Sequence, residues 1–134
     1  YPSDETNGCV LAMRSLVIKT DDGRIVLVDN GAGNKHLKQL SYYRFFNLVD
    51  LGTELRNRGI QPEEITDVVL THLHFDHCGY TTQKDESTGH LFLSFPNANH
   101  WVSRKQWENF LHPRKIPILS RICKPSRMLI PYGC

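Results

Sequence analysis

Three imidazoles and a carboxylate fall within six residues of this chain: His72, His74, Asp76 and His77, inside the run Thr71-His72-Leu73-His74-Phe75-Asp76-His77-Cys78-Gly79. The run is entered from the apolar stretch Val68-Val69-Leu70. Burying so many polar rings without partners is costly, and a metal ion satisfies them together. Neutral imidazole and carboxylate are ligands that zinc favours, with iron or manganese admitted when carboxylates and water complete the shell. The competing explanation is a surface histidine cluster, or core histidines that each have their own hydrogen-bond partner.

The spacing suggests a division of labour. If the strand carrying Val68 to Leu70 continues to its end at Thr71, His72 and His74 are two apart, point to one side and grip one cation together. Asp76 and His77 lie where the chain must leave the sheet. From there they turn back toward the same pocket from another direction and serve a second cation.

At these residues the chain resembles a known family. His72-x-His74-x-Asp76-His77, following a buried strand and running into Cys78-Gly79, is similar to the metal-binding signature of the metallo-β-lactamase fold hydrolases. Tyr1 to Asn7, Leu27-Val28-Asp29-Asn30-Gly31-Ala32-Gly33 and Phe95 to Val102 resemble the lactonase-like, hydrolytic branch. The resemblance implies an α/β fold, the N-terminal half of a layered αββα sandwich. It implies two zinc ions, one held by His72 and His74 and the other by Asp76 and His77. The implied reaction is hydrolysis of a lactone, ester or thioester carbonyl in a small-molecule substrate. Zinc supplies hydroxide at neutral pH by lowering the pKa of water to about 7. Asp76 is then the catalytic group that orients the hydroxide and carries its proton toward the leaving group. The same signature serves phosphodiesterases and nucleases, in which two metals clamp a phosphate. A non-catalytic metal-binding module is the third reading.

The elements that must position these residues follow from pattern. Val10 to Thr20 reads as a strand, Asp21-Asp22-Gly23-Arg24 as its turn and Ile25 to Val28 as a buried strand. Asp29 then stands at a strand end. In the family's pattern an aspartate here supports the metal site from behind, although an ordinary strand-terminating Asp explains it equally well. Asn30-Gly31-Ala32-Gly33-Asn34 does not complete a phosphate-binding pattern, since position 36 is His and no Gly-Lys-Ser/Thr follows. It reads as a plain loop near the pocket, and no cofactor-binding residue is assigned.

Lys35 to Phe46 reads as partly helical, and its aromatics Tyr42, Tyr43, Phe45 and Phe46 suit either core packing or a pocket wall. Leu48, Leu51 and Leu55 continue a helical stripe that stops at Gly59, and Pro62-Glu63-Glu64 starts a short turn of helix. Strand, helix, strand in this order is a βαβ crossover, which brings the histidines to the carboxyl end of a central strand, where open α/β sheets place ligands. Thr81 to Gly89 reads as a polar loop, Leu91 to Phe95 as a strand, His90 and His100 as surface positions. Ser103-Arg104-Lys105-Gln106 has capping-box spacing and opens a helix bearing Trp107, Phe110 and Leu111.

Composition bounds the rest. A chain of 134 residues with 40% hydrophobic and 22% charged side chains has room for one domain with a modest core. No apolar run approaches the length of a membrane span. Residue 1 is Tyr rather than Met, so an N-terminal portion is expected to be missing. Cys9, Cys78, Cys123 and Cys134 form neither a C-x-x-C pair nor a dense disulfide framework, which suits reduced thiols in the cytoplasm. Cys78 is expected to be a small buried residue.

Residues 1–108 hold all 14 acidic side chains and 11 of the 16 basic ones, a formal charge of −3. The remainder carries Arg114, Lys115, Arg121, Lys124 and Arg127, four of the seven prolines and no acid. We divide the chain into a partial domain, residues 1–112, and a basic, proline-rich tail, residues 113–134. The tail has no helical or alternating apolar pattern and no aromatic interleaving, so nucleic-acid binding is not expected.

In the family a second half supplies a further His after a Gly, a bridging Asp and a final His. Here Gly-His occurs only at Gly89-His90 and no aspartate follows Asp85, so each ion is short of ligands. Three explanations compete: a piece of a longer enzyme, a reading frame lost after about His112, or a genuine short metal-binding protein. The first two make this chain inactive by itself. Half a sandwich also leaves a sheet face exposed, and pairing in a homo-oligomer is expected from that.

Overall fold

The structure, a computed structural model, describes residues 2–36, 38 and 48–112. The tail from residue 113 and the aromatic cluster Tyr42 to Phe46 lie outside the described residues, so the division at residue 112 and the role of that cluster rest on sequence alone.

Among the described residues, six strands and three helices follow one another. Strands β1 (Leu16–Lys19) and β2 (Ile25–Val28) form an antiparallel hairpin, closed by Gly23 at φ 84°. Helix α1 (Leu51–Asn57) and a 3-10 turn (Pro62–Glu64) cross over to β3 (Asp67–Leu70), which pairs parallel with β2. The one-turn helix α2 (Phe75–Cys78) and a second 3-10 turn (Gly79–Thr81) lead into β4 (Thr82–Lys84) and β5 (Leu91–Leu93), a separate antiparallel pair. Strand β6 (Asn99–Val102) returns to lie parallel beside β3, and α3 (Arg104–Leu111) follows. The main sheet therefore runs β1-β2-β3-β6, the α/β arrangement expected.

Local chemistry accounts for the boundaries. Asp50 caps α1 by accepting the Thr53 N–H at 2.8 Å, while Gly59 (φ 73°) closes it: Gly59 N–H donates to Arg56 and Ile60 N–H to Leu55. That bond pattern satisfies the last carbonyls and turns the chain toward β3. Ser103 accepts the Gln106 N–H at the start of α3.

Three departures from the sequence reading have physical causes. Pairing of β1 begins at Leu16, not Val10, because β2 ends at Val28 and Asp29 turns away at φ 53°, leaving nothing opposite; Val10 and Leu11 are exposed. Part of the expected loop after Thr81 is strand β4, paired with β5. His100 is half-buried rather than a surface residue: in the register it joins the row Val17, Leu27, Val68 that faces the core, and its Nε2 is buried without a partner among the described residues.

The two faces of the main sheet differ. One packs Leu27 and Val68, both fully buried, against Leu55, Ile60, Ile65, Leu70, Leu73, Tyr80 and Phe95. On the other, the row Leu16, Val28, Val69, Trp101 is open at its ends, with Leu16 57% and Trp101 50% exposed. Asp67 sits on this open face but is itself covered, because its Oδ1 accepts the Trp101 Nε1–H at 2.7 Å and its Oδ2 the Thr66 hydroxyl at 2.9 Å. Burial raises the Asp67 pKa, yet these bonds outweigh it and hold the carboxyl below its ordinary value of 3.8.

Two backbones cross closely beneath the histidine run. Asn30 N–H donates to His77 O at 2.8 Å and Tyr80 N–H to Gly31 O at 3.1 Å. At the crossing a Cβ on Gly79 would stand 2.1 Å from the Ala32 carbonyl oxygen, so only glycine lets the strands of chain meet.

Gly79→Ala is therefore expected to destabilise the protein by about 1–3 kcal/mol, the usual cost of overpacking; an unchanged urea midpoint would show that the two segments are not in contact. Asp67→Asn tests the buried carboxylate. Its folded pKa is depressed, so its contribution is complete above pH 3.8 and is lost as pH falls further. The stability gap between parent and variant should narrow below that pH, and a gap constant from pH 7 to 2.5 would contradict the assignment.

Candidate metal centre

One carboxylate organises the centre. Asp29 leaves β2 with its N–H donating to Val69 O at 2.9 Å and adopts φ 53°, a left-handed conformation that Asp tolerates better than most residues. The turn aims its side chain, itself largely buried, across the end of β3. Oδ1 accepts the Thr71 N–H at 2.9 Å, and Oδ2 accepts the Thr71 hydroxyl at 2.7 Å. Oδ2 also lies 2.8 Å from His77 Nδ1. Burial pushes the Asp29 carboxyl up, but the bonds from His77 and Thr71 outweigh it and hold the group below the usual carboxylate range.

These contacts assign the imidazole tautomers. Facing an ionised carboxylate, His77 Nδ1 carries a hydrogen, so in the neutral ring the lone pair is on Nε2. The Thr71 hydroxyl hydrogen is committed to Asp29, so His72 Nδ1, 3.1 Å from Thr71 Oγ1, is the donor in that contact. Its Nε2 is then also an acceptor. Burial first, and the neighbouring His77 and His74 next, push the His72 pKa down, favouring the neutral ring that metal ligation requires.

The rings meet, though not by the expected route. Strand β3 stops at Leu70, and Thr71 to His74 are irregular. Alternation nevertheless persists: Leu73, 7% exposed, anchors in the core between outward-facing His72 and His74. The His72 and His74 centroids lie 4.7 Å apart, edge to face, and those of His72 and His77 lie 3.9 Å apart. His74 then occupies the N-cap position of α2, its carbonyl accepting the His77 and Cys78 N–H groups at 3.0 Å. This one turn brings His77 back toward His72 and places Asp76 beside it.

Asp76 Oδ2 and His77 Nε2 stand 3.5 Å apart. That exceeds ordinary hydrogen-bond length. It is close to the spacing of about 3.4 Å that two ligands adopt on one tetrahedral zinc, given bonds of about 2.0–2.1 Å. The donor chemistry thus suits a divalent transition ion. Among the described residues no three His, Cys, Asp or Glu side chains are placed so that they could hold one metal ion together. His90, exposed in the β4–β5 turn, and His100, on the core face of the sheet, stand apart from the cluster. Cys78 is half-buried at the end of α2.

Thr71 and Tyr80 are structural partners that the motif conceals. Thr71 is legible only once Asp29 is known to face it. Tyr80 is 5% exposed, with its hydroxyl on Asp50 and Gly52. From the other side the Lys35 ammonium reaches the carbonyls of Gly79 and Thr82.

Residues 14–80 match the family model described as the metallo-beta-lactamase superfamily. Among solved structures, the chain is similar to "a probable metal-dependent hydrolase" from Staphylococcus aureus, at 31% identity and a TM-score of 0.73 over 85% of this chain and 40% of that one. It is similar to AidC, a dizinc quorum-quenching lactonase, at 26% identity and a TM-score of 0.57 over 75% of this chain and 29% of AidC. The hydrolase AbOPH of the beta lactamase superfamily is 28% identical with a TM-score of 0.52, over 73% of this chain and 28% of its own. No curated protein matches the chain. The chain spans 40% or less of the length of each of these structures. The matched model takes in half of the sequence, from the start of the β-hairpin through the whole histidine run, and the chain belongs to the metallo-beta-lactamase superfamily.

Proposed function

We propose that this chain carries the first half of the site of a zinc-dependent hydrolase acting on a lactone, ester or thioester carbonyl. The observation that supports it best is the Asp29 carboxylate, which through direct and Thr71-mediated contacts leaves both His72 and His77 with an outward Nε2 lone pair. Partners behind ligating histidines fix ring orientation and raise basicity in this way. The similarity to a dizinc lactonase supports the substrate class.

His72 and His74 hold one ion, and Asp76 and His77 the other. Bound metal supplies Lewis acidity toward the carbonyl and lowers the pKa of water to about 7. Asp76, half-exposed beside His77, orients the attacking water and passes its proton toward the leaving group. With two donors per ion, these residues by themselves fall short of the three protein ligands of a usual catalytic zinc. The activity therefore belongs to a domain of the length its structural neighbours have. No helix among the described residues is long and apolar enough to cross a membrane. A cytoplasmic location and a small-molecule substrate complete the proposal, together with pairing of the open sheet face in a homo-oligomer.

Metal uptake tests the ligands directly. Dialysed against zinc, the parent should retain metal, and His72→Ala or His77→Ala should lose it; a His74→Ala protein with parental zinc content would remove His74 from the set. Asp29→Ala should weaken affinity by roughly 10–100-fold in chelator competition. The polypeptide purified from its source cells at natural length should hydrolyse lactones or thioesters in preference to bis-nitrophenyl phosphate. The opposite preference would overturn the carbonyl assignment and favour a phosphodiesterase.

A further inference from the structure

Helix α2 is a single turn of four residues, too short to hold its own shape in water. Its direction, and with it the facing of Asp76 and His77, is set by what grips its two ends. Upstream the grip is Asp29 and Thr71. Downstream the chain passes at once into Gly79–Thr81, which carries no ligand candidate but is held at several points.

Tyr80 is the centre of that grip. Its N–H donates to Gly31 O at 3.1 Å, and its carbonyl accepts the Ser94 hydroxyl. Its ring is buried, 6.0 Å from Phe95 between centroids. A ring placed only to fill this space needs no oxygen, and phenylalanine would pack as well. The hydroxyl instead reaches the start of α1, where it accepts the Gly52 N–H at 3.0 Å and donates to Asp50 Oδ1 at 2.9 Å. Asp50 Oδ2 accepts the Thr53 N–H, so one carboxylate both caps α1 and holds the phenol. A Cβ on Gly52 would stand 2.7 Å from that oxygen, so the absence of a side chain there is what admits the hydroxyl. Burial pushes the phenol up to about 12, which keeps it a donor throughout the neutral range.

We infer that Tyr80 is a positioning residue for the metal centre: its hydroxyl ties the turn after α2 to the N-terminus of α1 and so holds Asp76 and His77 toward a common ion. The inference rests on the metal-site reading above. Loss of the tether frees the end of α2 while leaving the β2–β3 ladder intact.

The test compares the full chain with Tyr80→Phe, Asp50→Ala and Asp50→Asn in two readouts. In the metal-free protein, amide exchange at residues 75–81 should quicken about tenfold in Tyr80→Phe, the equivalent of one buried hydrogen bond, with β2 and β3 unchanged. In a cobalt(II) titration followed by visible absorption, Tyr80→Phe and Asp50→Ala should bind roughly tenfold more weakly with altered bands. Asp50→Asn keeps one oxygen for the α1 cap but presents an NH2 in place of the oxygen that accepts the phenol, so it should leave α1 capped and still bind cobalt about as weakly as Tyr80→Phe. Gly52→Ala should weaken cobalt binding in the parent and add nothing in the Tyr80→Phe background, where its methyl takes the vacated space. Parental exchange and cobalt affinity in Tyr80→Phe would overturn the inference, as would faster exchange spread evenly over the whole chain. A parent that takes up no cobalt, while Tyr80→Phe still loosens residues 75–81 locally, would overturn the metal reading and uphold the tether.

Discussion

The arrangement depends on one buried carboxylate. Asp29 ends β2, receives both polar hydrogens of Thr71 at the end of β3, and meets His77 on α2. Three elements, β2, β3 and α2, are joined at one side chain. The bonds are charge-assisted, and a partly buried anion that lost them would carry its desolvation cost uncompensated. The carboxylate therefore cannot be exchanged for a neutral side chain without freeing both rings it orients. Its unusual backbone conformation is the local cost of aiming the side chain across the sheet end.

From that constraint the neighbouring loop acquires its composition. The chain after Asp29 must pass close enough beneath α2 for Asn30 and Gly31 to exchange backbone hydrogen bonds with His77 and Tyr80. No side chain fits at Gly79 on the other side of that crossing. Gly33 and Gly79 serve contact between the two backbones. Asn30 Nδ2 adds a bond of 2.8 Å to Thr81 Oγ1, so the loop holds the turn after α2 by side chain as well as by main chain.

Much of this was legible in the sequence because it follows from residue periodicity or from well-known cap chemistry. The βαβ crossover, the Gly59 stop and the Ser103 cap needed no tertiary information. The four motif residues stood out by type and spacing, and the structure brings their side chains to one place. What escaped the sequence depends on contacts between distant residues. Asp29 read equally well as a strand terminator, since nothing local says that Thr71 and His77, more than 40 positions on, will face it. The extra length assigned to β1 followed its apolar alternation, which runs past the point where β2 stops providing a partner. His100 looked like a surface residue because alternation gives two faces and not which of them is covered. For Tyr80 the hydroxyl's partners lie about 30 residues upstream, and only Gly52's missing Cβ, seen in three dimensions, marks the place it occupies.

The two faces of the main sheet account for why the histidine run is firmly held while part of the sheet stays open. The covered face, with Leu27 and Val68 at its centre, fixes β2 and β3 relative to α1 and so fixes Asp29, Thr71 and Tyr80, which all lie at strand or helix ends on that framework. The open face presents Leu16, Val28, Val69 and Trp101 in register, the kind of apolar row a second sheet covers in a layered α/β fold. The orientation of His72 and His77 is set by hydrogen bonds internal to residues 29–81. Among the described residues no three His, Cys, Asp or Glu side chains are placed to hold one metal ion, and the structural neighbours extend well beyond the length this chain spans. Alignment of these rings therefore needs nothing beyond the hydrogen bonds of this stretch.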